Sequence, residues 1–153
     1  MMAPRGAGGF SLLELIVVLL IIAVTGAFTL PAVASGWRAR EVRQSTRELA
    51  GVMRGLRERA IRLGTEQELL LDPDGRTVEW SGEAGTTLPE GASIIGIRGG
   101  WRDTDGSVRV VFYPNGGTTG VALLVGDERP GGLRFAIEVD SLLGAVVIED
   151  ATT

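Results

Sequence analysis

The sequence predicts an α+β protein. A long N-terminal α-helix, transmembrane at first and amphipathic beyond, packs on a C-terminal antiparallel β-sheet domain. Three observations carry that expectation. Residues 10–34 are an apolar run in which Glu14 is the single charge. Residues 42–63 repeat apolar side chains at spacings of three, four and seven, which draws one stripe along a helix. After Gly64 the chain changes to short runs of Val, Ile and Leu broken by Gly, Pro and Asp, the pattern of strands and turns.

The first nine residues carry one positive side chain, Arg5, and no acid; a basic flank beside an apolar span stays cytoplasmic. The 25 residues that follow exceed the roughly 20 needed to cross ~30 Å of hydrocarbon. An ordinary secretory signal has a shorter apolar region that ends in small residues. Here Gly8 and Gly9 stand before the run, and cleavage near residues 32–34 is the rival reading. A charge inside such a span costs at least ~2.5 kcal/mol, which makes Glu14 a functional candidate. The plainer account is a carboxylate favoured by the helix dipole and snorkelling to the interface. Pro31 removes a backbone hydrogen bond from the helix and predicts a kink.

Beyond the span, Val42, Leu49, Val52, Met53, Leu56, Ala60 and Leu63 form the stripe, with most arginines on other faces. Trp37 just past the span suits an interfacial position. Gly64 is placed to stop the helix. Strands are expected at 66–71, 76–80, 93–97, 108–113, 121–125, 133–139 and 145–148, and Asp72-Pro73-Asp74-Gly75 reads as a hairpin turn.

The chain contains neither Cys nor His. That removes disulfides, thiol nucleophiles, imidazole bases and Cys/His metal sites. All fifteen basic residues are Arg. Eight of them fall in residues 38–62 against three Glu, net +5, while residues 64–153 hold six Arg against fifteen acids, net −9. Such asymmetry fits a nucleic-acid or headgroup site, or basic and acidic surfaces that pack between neighbouring subunits. Trp37, Trp80 and Trp101 with Arg98, Arg102 and Arg109 would suit single-strand stacking, but the surrounding charge is negative. The acidic turns at 72–75 and 103–106 lack the Glu six residues past the glycine that a calcium loop needs; Ser81 and Phe112 stand there instead. Ser11 and Ser35 have no base near them in sequence, Tyr113 is alone, and no enzyme is expected.

Gly9-Phe10-Ser11-Leu12-Leu13-Glu14 resembles the class III signal of type IV pilins and of the pseudopilins of type II secretion. The resemblance implies that a prepilin peptidase cuts between Gly9 and Phe10 and N-methylates Phe10. It implies that Glu14 pairs with the Phe10 amino group of a neighbouring subunit during assembly. Pro31 stands 21 residues after Phe10, as in many pilins. Further on, Arg57-Glu58-Arg59-Ala60-Ile61 up to Gly64, Phe112-Tyr113-Pro114-Asn115-Gly116, and the closing Val139-Asp140 to Gly144-Ala145-Val146 resemble the domain of H-class (GspH) minor pseudopilins. The layout implied is a leader at 1–9, a transmembrane helix at 10–34, an amphipathic helix at 35–63 and a periplasmic β domain at 64–153. Its implied partners are other pseudopilins, the peptidase and the inner membrane, with no cofactor, metal or nucleic acid. The alternative is a minor pilin of a type IV pilus, with DNA as its ligand.

Overall fold

The computed structural model describes residues 11–81 and 83–151, and the side chains of 27–35 and 84 lie outside that description. The chain divides into two compact units, Met1–Gly36 and Trp37–Thr153.

Helix α1 (Leu12–Leu63) starts in the first unit. Ser11 caps it: the Glu14 N–H donates to Ser11 Oγ at 3.3 Å, and the Leu15 N–H donates to the Ser11 carbonyl at 3.2 Å. Ser at the cap with Glu three residues on is the capping-box pattern. The helix is unbroken in assignment through residue 31. The bend expected at Pro31 falls among residues whose side chains are outside the description. So does part of the span expected over 10–34. Among the described residues no helix is long and apolar enough to cross a membrane.

In the second unit the remainder of α1 packs on two antiparallel sheets. The five-stranded sheet runs β3 (Glu83–Thr87), β2 (Thr77–Trp80), β1 (Gln67–Leu71), β6 (Val108–Phe112), β5 (Trp101–Arg102). The four-stranded sheet runs β4 (Ser93–Gly99), β7 (Val121–Gly126), β8 (Arg134–Val139), β9 (Val146–Asp150). Alternation sets which face is buried: Gln67, Leu69 and Leu71 of β1 point inward while Glu68 and Leu70 are half-buried, as a period of two requires. Leu69 lies opposite Val110 and Leu71 opposite Val108. Leu123 likewise lies opposite Ile137.

The helix stripe closes this core. Val42, Ser45, Thr46, Leu49, Ala50, Met53, Leu56 and Ala60 are all buried. From Leu49 to Ala60 the apolar ones join a single cluster with Leu69, Leu71, Val110, Phe112, Leu123 and Ile137. Burying each large apolar side chain contributes about 1.5–3 kcal/mol. The two polar members sit where the stripe needed small residues, and the Thr46 hydroxyl donates to the Val42 carbonyl at 2.7 Å, so its oxygen is not stranded. Leu63 departs from the expectation. It lies past the last buried turn and is 58% exposed. Val52 flanks the core rather than filling it.

All seven expected strands form, and among the described residues two more, β3 and β5, were not foreseen. β3 is Glu-Ala-Gly-Thr-Thr, with little β propensity of its own; it forms because β2 offers an edge, where Thr77 pairs with Thr87. β5 is two residues long. Before it, Gly99 and Gly100 adopt φ of 78° and 69°, and the chain passes there from the four-stranded sheet to the five-stranded one. A Cβ on Gly99 would lie 2.7 Å from the Gly120 carbonyl oxygen, so the corner needs glycine for space as well as for φ. Gly64 ends the helix with φ 66°, its N–H on the Ala60 carbonyl at 3.0 Å, as expected for the residue after a helix end.

Candidate functional site

Gly9 and Phe10 lie outside the described residues. Glu14 sits in the first turn of α1 and is exposed. Among the described residues its carboxylate has no partner. Around it the apolar side chains point every way: Leu12 is 78% exposed, and Leu13, Leu15, Ile16, Val17, Val18, Leu19, Leu20, Ile21, Ile22 and Val24 are all exposed as well. A helix that is apolar all round needs an apolar surrounding. Ser11 was visible in the sequence only as a hydroxyl without a base. Its role as the cap that orders the turn carrying Glu14 was readable from the Ser-x-x-Glu spacing just before the apolar run.

In the second unit the arginines of α1 bind their own chain. Arg54 Nη2 donates to the Val146 carbonyl at 3.0 Å, Arg57 Nε to the Gly116 carbonyl at 3.2 Å, and Arg59 Nη1 to the Ser81 carbonyl at 3.0 Å. Arg59 also pairs with Glu83 at 2.8 Å, and Arg43 stacks over the Phe135 ring at 5.9 Å. The basic helix expected to face neighbouring subunits therefore spends part of its charge clamping the sheets.

The three domain motifs singled out in the sequence meet at Arg57. Gly116 has φ 87° and Gly144 φ 61°. A Cβ on Gly144 would collide with the Gly116 carbonyl oxygen and lie 2.7 Å from Arg57 Nε. The helix, the Phe-x-Pro-x-Gly turn and the closing hairpin thus leave room for nothing larger than glycine. The turn between β8 and β9 is stiffened from within. Asp140 Oδ1 accepts the Leu142 and Leu143 N–H groups at 2.9 and 2.7 Å, and the Ser141 carbonyl accepts the Thr118 N–H at 3.0 Å. This held turn presents Leu142 and Leu143 to solvent, 83% and 68% exposed.

Of the residues weighed for nucleic acid, Arg109 and Trp80 are engaged within the chain. Arg109 is held between Asp103 at 2.8 Å and Glu68 at 3.4 Å, and Asp103 first, then Glu68, raise its pKa. Trp101 lies opposite Arg109 in the ladder and is exposed, whereas Trp80 packs against the core. The depression beside Trp80 is lined by Glu68, Glu79 and Glu83, which repel a phosphate backbone. The two acidic turns do backbone work. Asp74 Oδ1 accepts the Arg76 and Thr77 N–H groups at 2.8 and 3.1 Å, and Asp105 Oδ1 accepts the Ser107 N–H and hydroxyl at 2.9 and 2.7 Å. These bonds lower the pKa of each, Arg76 leading for Asp74 and Ser107 for Asp105. Among the described residues no cluster of acids could hold a metal ion.

Comparison with known proteins agrees with both halves of this picture. Residues 4–30 match the prokaryotic N-terminal methylation motif. Type II secretion system protein H of Xanthomonas campestris pv. campestris is 31% identical over 130 residues, covering 82% of this chain and 76% of the relative. Among solved structures, the minor pseudopilin EpsH from the type 2 secretion system of Vibrio cholerae superposes with a TM-score of 0.59 at 16% identity, over 74% of this chain and 99% of that one. At that identity the superposition speaks for the fold.

Proposed function

Because the chain belongs to the family of type II secretion system protein H, we propose that it is a minor pseudopilin. It is a structural subunit, not an enzyme, of the periplasmic pseudopilus that helps folded proteins leave across the outer membrane. One observation carries the reading: among the described residues the apolar side chains of residues 12–24 are exposed on every face, which suits an apolar surrounding. Lipid supplies it before assembly, and the packed helices of other pseudopilins supply it afterwards. The alternative of a type IV pilus subunit is not favoured by this kinship.

In this reading residues 1–9 are a leader that a prepilin peptidase removes between Gly9 and Phe10, with N-methylation of Phe10. Residues 10–34 are a single-pass anchor in the inner membrane, and Pro31 bends it. The amphipathic helix at 35–63 and the β domain at 64–153 stand in the periplasm. Glu14 has a defined task. A carboxylate in an apolar surrounding is costly until paired, and the resemblance to pseudopilins supplies a partner, the Phe10 ammonium of the adjacent subunit, a group four residues before Glu14 in the sequence. Pairing the two sets the axial register of an incoming subunit. The capped first turn holds the Glu14 backbone for that contact.

Mass analysis of the N-terminus of the membrane-extracted protein tests the proposal, together with crosslinking to the other pseudopilins. A mature chain that begins at methyl-Phe10 and crosslinks to them is expected. A chain that keeps residues 1–9 or begins near residue 35 overturns it.

A further inference from the structure

Among the described residues the two sheets have four edge strands, and three are blunted. The pairing of β3 on β2 carries an irregularity between Val78 and Trp80, that of β4 on β7 carries one between Ile94 and Gly96, and β5 is two residues long. Bulges and shortness are the usual protections against an added strand. β9 has neither. It pairs with β8 in unbroken register from Val146 to Asp150, and among the described residues β8 is its one strand neighbour.

Which backbone groups of β9 point outward follows from the ladder. The Asp140 N–H bonds the Ala145 carbonyl and the Ala151 N–H bonds the Arg134 carbonyl, so odd-numbered residues face β8 and even-numbered ones face away. The Arg54 bond to the Val146 carbonyl fits that parity. The Ile148 N–H and C=O therefore face the open side.

That side is basic. Arg43, Arg47 and Arg54 recur at spacings of four and seven, on one flank of α1. Arg43, Thr46 and Arg47 form one wall of a groove of about 400 Å³ whose other wall is Phe135, Ile148 and Asp150. Among the described residues Arg47 has no ion-pair partner. The Asp150 carboxylate offsets one of the two guanidinium charges, and the remaining positive charge over an apolar floor favours an acidic side chain over a basic one. On the opposite face of β9, Val147 is exposed and favours an apolar neighbour.

We propose that the β9 edge, with Arg43 and Arg47, receives an extended acidic segment of a partner protein as a further strand of the four-stranded sheet. Its backbone pairs with Ile148, its alternate acidic side chains enter the groove, and its apolar ones lie beside Val147. The inference does not depend on the anchor or on Glu14.

The full chain in detergent micelles can be titrated with a fluorescein-labelled peptide of three Val-Glu repeats, read by anisotropy. A peptide of three Val-Lys repeats is the control. The Val-Glu peptide should bind and the Val-Lys peptide should not. Arg47→Glu should weaken binding at least tenfold. Ile148→Pro should do the same while leaving circular dichroism unchanged, since its N–H is not in the β8–β9 ladder. Should that variant fail to fold, hydrogen exchange of the wild type decides instead, because the peptide should slow exchange within 146–151. Equal binding of both peptides, undiminished binding by Ile148→Pro, or unchanged exchange overturns the proposal. Dimerisation without peptide that Ile148→Pro abolishes would give the edge to a second copy and overturn it too.

Discussion

Two stretches of one helix, residues 12–24 and residues 42–60, are equally legible as helix and opposite in how they treat their apolar side chains. In the first, leucine, isoleucine and valine occupy nearly every position and all are exposed. In the second, apolar side chains keep to one stripe, and Val42, Leu49, Met53, Leu56 and Ala60 are buried. The stripe is satisfied by strands of its own chain. The all-round segment is exposed among the described residues; under the proposed function, lipid or other subunits would stabilise it. Under the proposed function, folding and assembly fall to different halves of the helix.

Glu14→Lys should produce the largest effect, and on assembly alone. It places like charges together where the proposal pairs opposite ones, so crosslinks to other pseudopilins and secretion should be lost. Thermal unfolding of the β domain should not move. Normal secretion by this variant would reduce Glu14 to a helix-end residue and remove the functional side of the contrast.

Core truncation comes next. Leu56→Ala should cost on the order of 2–5 kcal/mol, as for other buried leucines, measured by denaturant unfolding of the full chain in micelles. Leu19→Ala, exposed in the first stretch, should change that value by less than about 0.5 kcal/mol. Equal losses at the two sites would break the comparison.

Gly144→Ala tests whether the second stretch is fixed by more than its stripe. The new Cβ meets the Gly116 carbonyl and Arg57 at a residue with φ 61°, so a loss of about 1–3 kcal/mol is expected. Arg57→Ala should relieve part of it. Two independent, additive losses would mean that the three segments do not share one contact.

The smallest effect is electrostatic. The Glu83 pKa lies below its ordinary 4.5, chiefly through the Arg59 hydrogen bond and then through Trp80. A carboxylate with a depressed folded pKa adds stability above its unfolded pKa and loses it as pH falls through the folded one. Unfolding midpoints should therefore decline as pH drops from about 4.5, and Glu83→Gln should make that decline shallower. Because the pair is exposed to solvent, salt should shrink the difference.

Sequence periodicity located the helix, its end at Gly64, the buried stripe and seven of the strands, because each is a local pattern that one face of an element imposes. It overreached at Leu63, since a stripe continues in sequence after the core beneath it has stopped. It missed β3, whose Glu-Ala-Gly-Thr-Thr has no strand signal and forms on the edge that β2 presents. The charge asymmetry was legible as well, but not its use: nothing local says that Arg54, Arg57 and Arg59 reach carbonyls 22 to 92 residues away.

By itself, then, the sequence determined what depends on neighbours along the chain: a capped apolar helix with one carboxylate, a stripe at helical period, and turns at Asp and Gly. Only the tertiary structure decided what depends on neighbours in space. It set Glu68 and Asp103 around Arg109, brought Gly116 and Gly144 together at Arg57, and left β9 as the regular edge beside a row of arginines. The reason is range. Backbone propensity and hydrophobic period act over a few residues, whereas close packing and ion pairing depend on distances that only the folded chain brings within a few ångströms.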